Sequence, residues 1–184
     1  MQKYFLVDVE TGGLDCTKHS LLTLYGFVFK PNMEIIDRID LKIKPNDGCY
    51  HLEVEAMAIN KINILEHDKE AITEQQASLK LRDFLFAHSE YKATKLIPVG
   101  HNVNFDMKFI QKKLVPDIND LCSHRQIDTA SISQFFMLSG KLPIMSGSLS
   151  AICKHYEIDT TGAHNAKVDA ENTFRLLQAM INCH

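Results

Sequence analysis

The run Lys3-Tyr4-Phe5-Leu6-Val7-Asp8-Val9 is almost unbroken in its apolar character, and it constrains the chain more than any other feature. A short stretch of Tyr, Phe, Leu and Val suits a central strand covered on both faces. It runs into two acids, Asp8 and Glu10, so the strand leads from a core to a charged edge. With 184 residues, 45% apolar and 23% charged, the chain can close one hydrophobic core, and residues 1–184 are expected to form a single domain.

Residues 21–30 and 34–44 read as two further strands, joined by the turn signal Pro31-Asn32. Thr73 with Gln76 fits a capping box, and Ala77, Leu81, Phe84 and Leu85 then recur at helical spacing. Residues 96–100 read as a short strand, followed by Asn104 as helix cap and a helix to about Leu114, two residues before Pro116. Gln126-Ile127-Asp128 reads as a strand end, Ser148 caps a helix carrying Leu149, Ile152, Cys153 and Tyr156, and a last helix carries Ala170, Phe174, Leu177 and Ile181. Residues 138–148 read as a mobile connection. Strands followed by alternating strand and helix imply an α/β layered domain.

Several classes are disfavoured by composition. No apolar run approaches the roughly 20 residues of a membrane helix, and the N-terminus meets an acid too soon for a signal peptide, so a cytoplasmic protein with no membrane partner is expected. The five cysteines (Cys16, Cys49, Cys122, Cys153 and Cys183) are odd in number and include no C-x-x-C pair, which suggests reduced thiols rather than a disulfide framework or structural zinc. A net charge of −3 argues against a basic protein that coats nucleic acid, but not against an enzyme that grips a few nucleotides. Lys108, Lys112 and Lys113 read as a solvated helix face.

Chemistry concentrates in three segments. Asp8 and Glu10 lie two apart on a strand, so period-2 geometry sends both side chains to one face, where like charges repel unless a cation neutralises them. Alone, such a pair is also what two solvated strand-end acids look like. Paired glycines follow in Thr11-Gly12-Gly13-Leu14, which let backbone approach a ligand or simply make a turn. Asp106 stands in the first turn of its helix, where the dipole favours an acid, within Gly100-His101-Asn102-Val103-Asn104-Phe105-Asp106 at a strand-to-helix connection. Asp169 lies on the final helix in line with Thr173, Leu176 and Met180, and His164 stands five residues earlier. No H-E-x-x-H helix supports a zinc protease.

Together these segments resemble the DEDDh exonucleases, the family that includes the proofreading epsilon subunit of bacterial replicative polymerases and ribonuclease T. Val7-Asp8-Val9-Glu10-Thr11-Gly12-Gly13-Leu14 is similar to the first motif of that family. His101-Asn102-Val103-Asn104-Phe105-Asp106 is similar to the second, and His164-Asn165-Ala166-Lys167-Val168-Asp169-Ala170-Glu171 to the third. Ser148 to Ile158 is also similar to the helix preceding the third motif in epsilon-type members. Two positions depart from the pattern: Thr23 stands where many members have an acid in the second strand, and Lys61 replaces a common glycine. The sister DEDDy group has Tyr where Asn165 stands, so His164 fits the DEDDh register.

The resemblance implies a ribonuclease H-like fold, with a mixed five-stranded sheet flanked by helices, and one exonuclease domain over residues 1–184. It implies Asp8, Glu10, Asp106 and Asp169 as ligands to two divalent cations, Mg²⁺ or Mn²⁺, with Asp8 bridging both and His164 as general base. Substrate contacts would fall on Thr11, Gly12, Gly13, Leu14, His101, Asn102 and Phe105, with backbone at Thr11 and Gly12 meeting the 3′ hydroxyl and Leu14 and Phe105 packing on the last bases. The expected reaction is 3′-5′ removal of nucleoside 5′-monophosphates from single-stranded or frayed ends, DNA before RNA on the epsilon-like helix. Trimming of RNA and an inactive binding module are the alternatives. Whether such a chain works alone, as a homodimer or on a polymerase stays open.

Overall fold

The protein's structure, a computed structural model, describes residues 1–89 and 94–183. Strand β1 (Tyr4–Thr11) lies inside a six-stranded sheet of order β4-β3-β2-β1-β5-β6. Its interior position explains the apolar run: Phe5, Leu6 and Val7 are all inaccessible to solvent, on opposite faces. On one side β2 (Leu21–Phe29) and β3 (Ile35–Lys44) form an antiparallel meander, turned through Met33 in the left-handed region at φ 63°. On the other side β5 (Ile97–Gly100) and β6 (Ile127–Asp128) pair in parallel.

The sixth strand corrects the expected count of five. It is β4 (Ile72–Thr73), two residues that pair in parallel with Ile43 and Lys44 of β3. Two residues carry no alternation, and Thr73 also caps the helix that follows, so the segment reads as a helix start. That helix, α3 (Glu74–His88), has both bonds of the Thr73–Gln76 capping box and buries Ala77, Leu81 and Leu85.

Each face of the sheet has its own cover. Helices α3 and α4 (Val103–Lys113) lie over Phe5, Val7 and Val9. On the opposite face α7 (Ala166–Cys183) sets Ala166, Ala170, Phe174 and Leu177 against Leu6, Tyr25, Phe27 and Phe29. Behind α7, Leu176 and Met180 pack on Phe136 of α5 (Thr129–Leu138) and on Ile152 and Cys153 of α6 (Leu149–His155). Cys16, Cys49, Cys122 and Cys153 are free thiols, and the side chain of Cys183 lies outside the described residues. Among the described residues no helix is long and apolar enough to cross a membrane.

Three helices had no clear periodic signal. In α1 (Val54–Asn60) the apolar Val54 and Ile59 are exposed and the buried residue is Asn60, while α2 (Ile64–Glu70) buries His67. Their polarity is inverted, so hydrophobic spacing cannot find them. Helix α5 carries Ile132, Phe135, Phe136 and Leu138 on several sides, and Phe135 and Leu138 are exposed. Asn104 is not the cap of α4: the helix begins at Val103 behind Asn102, which sits in the left-handed region at φ 63°. Ile181 is exposed: the sheet-facing row of α7 has its last buried member at Leu177, while Met180 packs on the other side against α5 and α6.

Candidate active site

β1 carries Asp8 and Glu10 on the face that α7 covers, two residues beyond the last aliphatic contact at Leu6. The first turn of α7 places Asp169 opposite them. One carboxylate oxygen from each of Asp8, Glu10 and Asp169 falls within 4.8 Å of the others. Asn165 holds the start of α7, its Oδ1 accepting from the N–H groups of Lys167 and Val168, and this fixes where Asp169 stands.

Asp106 reaches the site from α4. Parallel pairing of β1 with β5 ends at Leu6 and Val99, which leaves the edge of β1 open further along. There the Val9 N–H donates to Asp106 Oδ1 at 3.0 Å, so a side chain takes over where the ladder stops. Asp106 is buried and stands beside the cluster rather than among the three oxygens that meet. The α4 turn is itself clipped by Asp128, whose Oδ1 accepts from Asn102 N–H at 2.7 Å and from Ala130 N–H at 3.1 Å. Asp128 is both the end of β6 and the N-cap of α5, a role that Asp-Thr ahead of an apolar run signals in the sequence.

The glycine turn is packed tightly. A Cβ on Gly12 would lie 2.3 Å from His51 O, and one on Gly13 would lie 2.6 Å from the His19 ring. The Gly12 N–H donates to Ser20 O and its carbonyl accepts from Glu53 N–H, so this backbone is engaged within the protein. Thr11 is buried with Oγ1 donating to Gly13 O, and Leu14 beyond it is 80% exposed. His101 is bound on both sides, with Nδ1 3.0 Å from Thr129 Oγ1 and Nε2 3.0 Å from Gly147 O. Phe105 is half-buried with its ring 5.0 Å from that of Phe109.

His164 sits in the left-handed region at φ 67°, and its N–H donates to Asp169 Oδ2 at 2.9 Å. The residue is exposed, at the rim of a cavity of about 250 Å³ that also touches Glu10, Thr23, Lys42 and Asn60. Thr23 pairs across the sheet with Glu10, and its buried hydroxyl has no hydrogen-bond partner among the described residues. Lys61, in place of the common glycine, adopts φ 57°, a conformation that glycine reaches without strain. Left-handed non-glycine residues thus occur at Lys61, Asn102 and His164, all beside these segments.

Electrostatically the site is crowded with negative charge. Burial, then Asp106, Glu10 and Asp169 in turn, hold the Asp8 carboxyl well above the usual carboxylate range. Burial followed by the charge of Asp169 pushes Glu10 up to about 7. Burial also raises Asp106, against the opposing bond from Val9, and raises Asp169, against the bond from His164. Burial lowers His101. A set of oxygen donors, each costly to ionise alone, fits a hard divalent cation, which would remove the repulsion. Asp8, Glu10 and Asp169 are placed to hold it, with Asp106 alongside.

Residues 5–177 match the RNase T family model, described as exonuclease. The chain is 31% identical over 171 residues to the PolC-type DNA polymerase III of Ureaplasma parvum, covering 91% of this chain and 11% of that protein. It is 29% identical over 191 residues to ribonuclease T of Shewanella denitrificans, covering 96% of this chain and 79% of that enzyme. It therefore spans about a tenth of the first relative's length and most of the second's. In fold it superposes on a zinc-bound E. coli exonuclease I complex with single-stranded DNA, with a TM-score of 0.82 at 16% identity over all of this chain and 41% of that one. With the family match running over nearly its whole length, from the strand that bears Asp8 to the helix that bears Asp169, the chain belongs to the RNase T-type exonuclease family.

Proposed function

We propose that residues 1–184 act as one exonuclease domain that shortens nucleic acid from a 3′ end, preferring single-stranded or frayed DNA and releasing nucleoside 5′-monophosphates. The observation that carries this reading is the meeting of Asp8, Glu10 and Asp169 within 4.8 Å in a chain of the exonuclease family. Those three with Asp106 would hold two divalent cations, Mg²⁺ or Mn²⁺. Such ions, when bound, would stabilise charge on the scissile phosphate and lower the pKa of a water, so that its hydroxide form is available as the nucleophile. The remaining work falls to the chain's own groups. His164, at the rim and tied through its backbone to Asp169, would accept the proton of the attacking water. Leu14, exposed one turn past Glu10, would lie against the terminal base, and Phe105 would support it from α4.

DNA is favoured because the solved neighbours include exonuclease I bound to a dT13 oligonucleotide. A second reading, trimming of RNA, is favoured by the relative named ribonuclease T, 79% of which the chain covers. One assay separates them: equal amounts of single-stranded DNA, mismatched duplex, matched duplex and single-stranded RNA, each with a free 3′ hydroxyl. Faster loss of single-stranded DNA and mismatched ends supports the first reading, because unstacking a frayed end costs less than opening a paired one. Faster loss of RNA supports the second. Cutting of a closed single-stranded circle, or shortening from the 5′ end, would show that the site has been misread.

A further inference from the structure

Helix α1 hangs from the end of β1 at two points. Ahead of the helix, Glu53 N–H donates to the Gly12 carbonyl at 2.6 Å, and at the last helical residue Asn60 Nδ2 donates to the Thr11 carbonyl at 3.1 Å. The Asn60 Oδ1 accepts from Ile62 N–H at 3.0 Å, so the amide is committed on both sides. Asn60 is also the residue that this helix buries, while its apolar Val54 and Ile59 stay exposed. A helix that buries an amide rather than hydrocarbon is located by hydrogen bonds more than by packing.

What those bonds locate matters for the site. Thr11 follows Glu10 directly, across a register shift in the β1–β2 pairing that sets Thr11 opposite Leu21. Asn60, Glu10 and His164 line one cavity. The segment 51–53 before α1 presses on the Gly12–Gly13 turn so closely that no Cβ would fit there. The position of α1 relative to Glu10 therefore depends on the Asn60 amide at one end and on this packed turn at the other.

We propose that Asn60 is a positioning residue: its bond to Thr11 sets where α1 stands relative to Glu10, and so fixes the wall beside which a terminal nucleotide lies when its phosphate meets the carboxylates. The proposal rests on the exonuclease reading of the site. Asn60→Asp keeps the shape and the acceptor for Ile62 N–H, but sets an oxygen against the Thr11 carbonyl in place of the donor. Asn60→Ala removes both bonds. Asn60→His restores a donor at the same distance from the backbone, at a position that borders the cavity of about 250 Å³.

The test is binding of a short single-stranded oligonucleotide with Ca²⁺ in place of Mg²⁺, so that affinity is read without turnover, together with the melting temperature of each protein. Dissociation constants should rise about tenfold in Asn60→Asp and at least as much in Asn60→Ala, since both lose the bond to the Thr11 carbonyl that orders the wall, and return to within roughly threefold in Asn60→His. A folded Asn60→Asp that binds like wild type would overturn the proposal, and so would a loss that histidine does not recover. Wild-type protein that binds no oligonucleotide would instead sink the exonuclease reading, and the proposal with it.

Discussion

The two ends of the β1–α7 contact are built from the same elements and do opposite things. At one end Leu6, Phe27 and Phe29 meet Phe174, whose ring lies 5.2 Å from that of Phe27 and 5.1 Å from that of Phe29 in edge-on contacts. At the other end, on the same face of the same strand, Asp8 and Glu10 meet Asp169. The aromatic end gains free energy from burial, whereas the acidic end loses it by holding carboxyl groups away from water and close together. One helix thus anchors the fold with its middle and holds a charge-strained site with its first turn. Variants at the two ends should therefore separate stability from activity.

The largest expected effect is at the acidic end. Asp8→Asn should lower the rate of digestion on the order of 10⁴-fold, because a ligand is lost. It should also leave the metal-free protein as stable as wild type or more so, since charge crowding is relieved. Loss of activity with a clearly lower melting temperature would mean that Asp8 serves the fold instead. His164→Ala should slow hydrolysis by roughly 10² to 10⁴-fold, the usual worth of a general base, with oligonucleotide affinity little changed. A rate within a few-fold of wild type would place the base elsewhere.

The aromatic end should answer in the other currency. Phe174→Ala removes a buried ring and should destabilise the fold by about 3–5 kcal/mol, read as a melting temperature lower by roughly 10 °C. Specific activity of the folded fraction at low temperature should stay near wild type. An equal fall in activity and stability would show that the two ends are not separable.

How far the sequence disclosed this comparison depended on spacing. Asp8 and Glu10 on one face followed from strand periodicity alone, and α3, α6 and the core side of α7 followed from helical periodicity backed by caps such as Thr73 and Ser148. The meeting of Asp169 and Asp106 with β1 could not be read that way, because it depends on which helix crosses which strand; the family motifs supplied it. Hidden altogether were α1 and α2, which bury Asn60 and His67 while exposing apolar side chains, and β4, too short to alternate. The clip by Asn60 lies in one of those hidden helices and that by Asp128 at the end of a strand that is legible, yet neither bond shows in the sequence, since a polar residue announces a partner only when the fold brings one to it.

A smaller effect concerns pH. Burial and Asp169 raise Glu10 from 4.5 to about 7, so the folded chain keeps a proton that the unfolded chain releases above about pH 4.5. Stability of the metal-free protein should be full below about pH 4.5 and decline as pH rises through about 7, by an amount on the order of 1–3 kcal/mol. Melting curves in EDTA between pH 5 and pH 8, run beside Glu10→Gln, read this directly. The decline should shrink in the variant and reverse when Mg²⁺ is added to wild type. A melting temperature that rises with pH in EDTA would mean that Glu10 is ionised at no cost.

The most direct measurement is the digestion of a 5′-labelled single-stranded DNA by wild-type protein, followed over time in Mg²⁺ and in EDTA. The acidic end of the β1–α7 contact, as described, predicts a ladder that shortens one nucleotide at a time from the 3′ end in Mg²⁺ and full-length DNA in EDTA. Intact DNA in Mg²⁺ and in Mn²⁺ with folded protein would contradict the DNA reading, and digestion that proceeds unchanged in EDTA would contradict the metal-holding role of the acidic end itself.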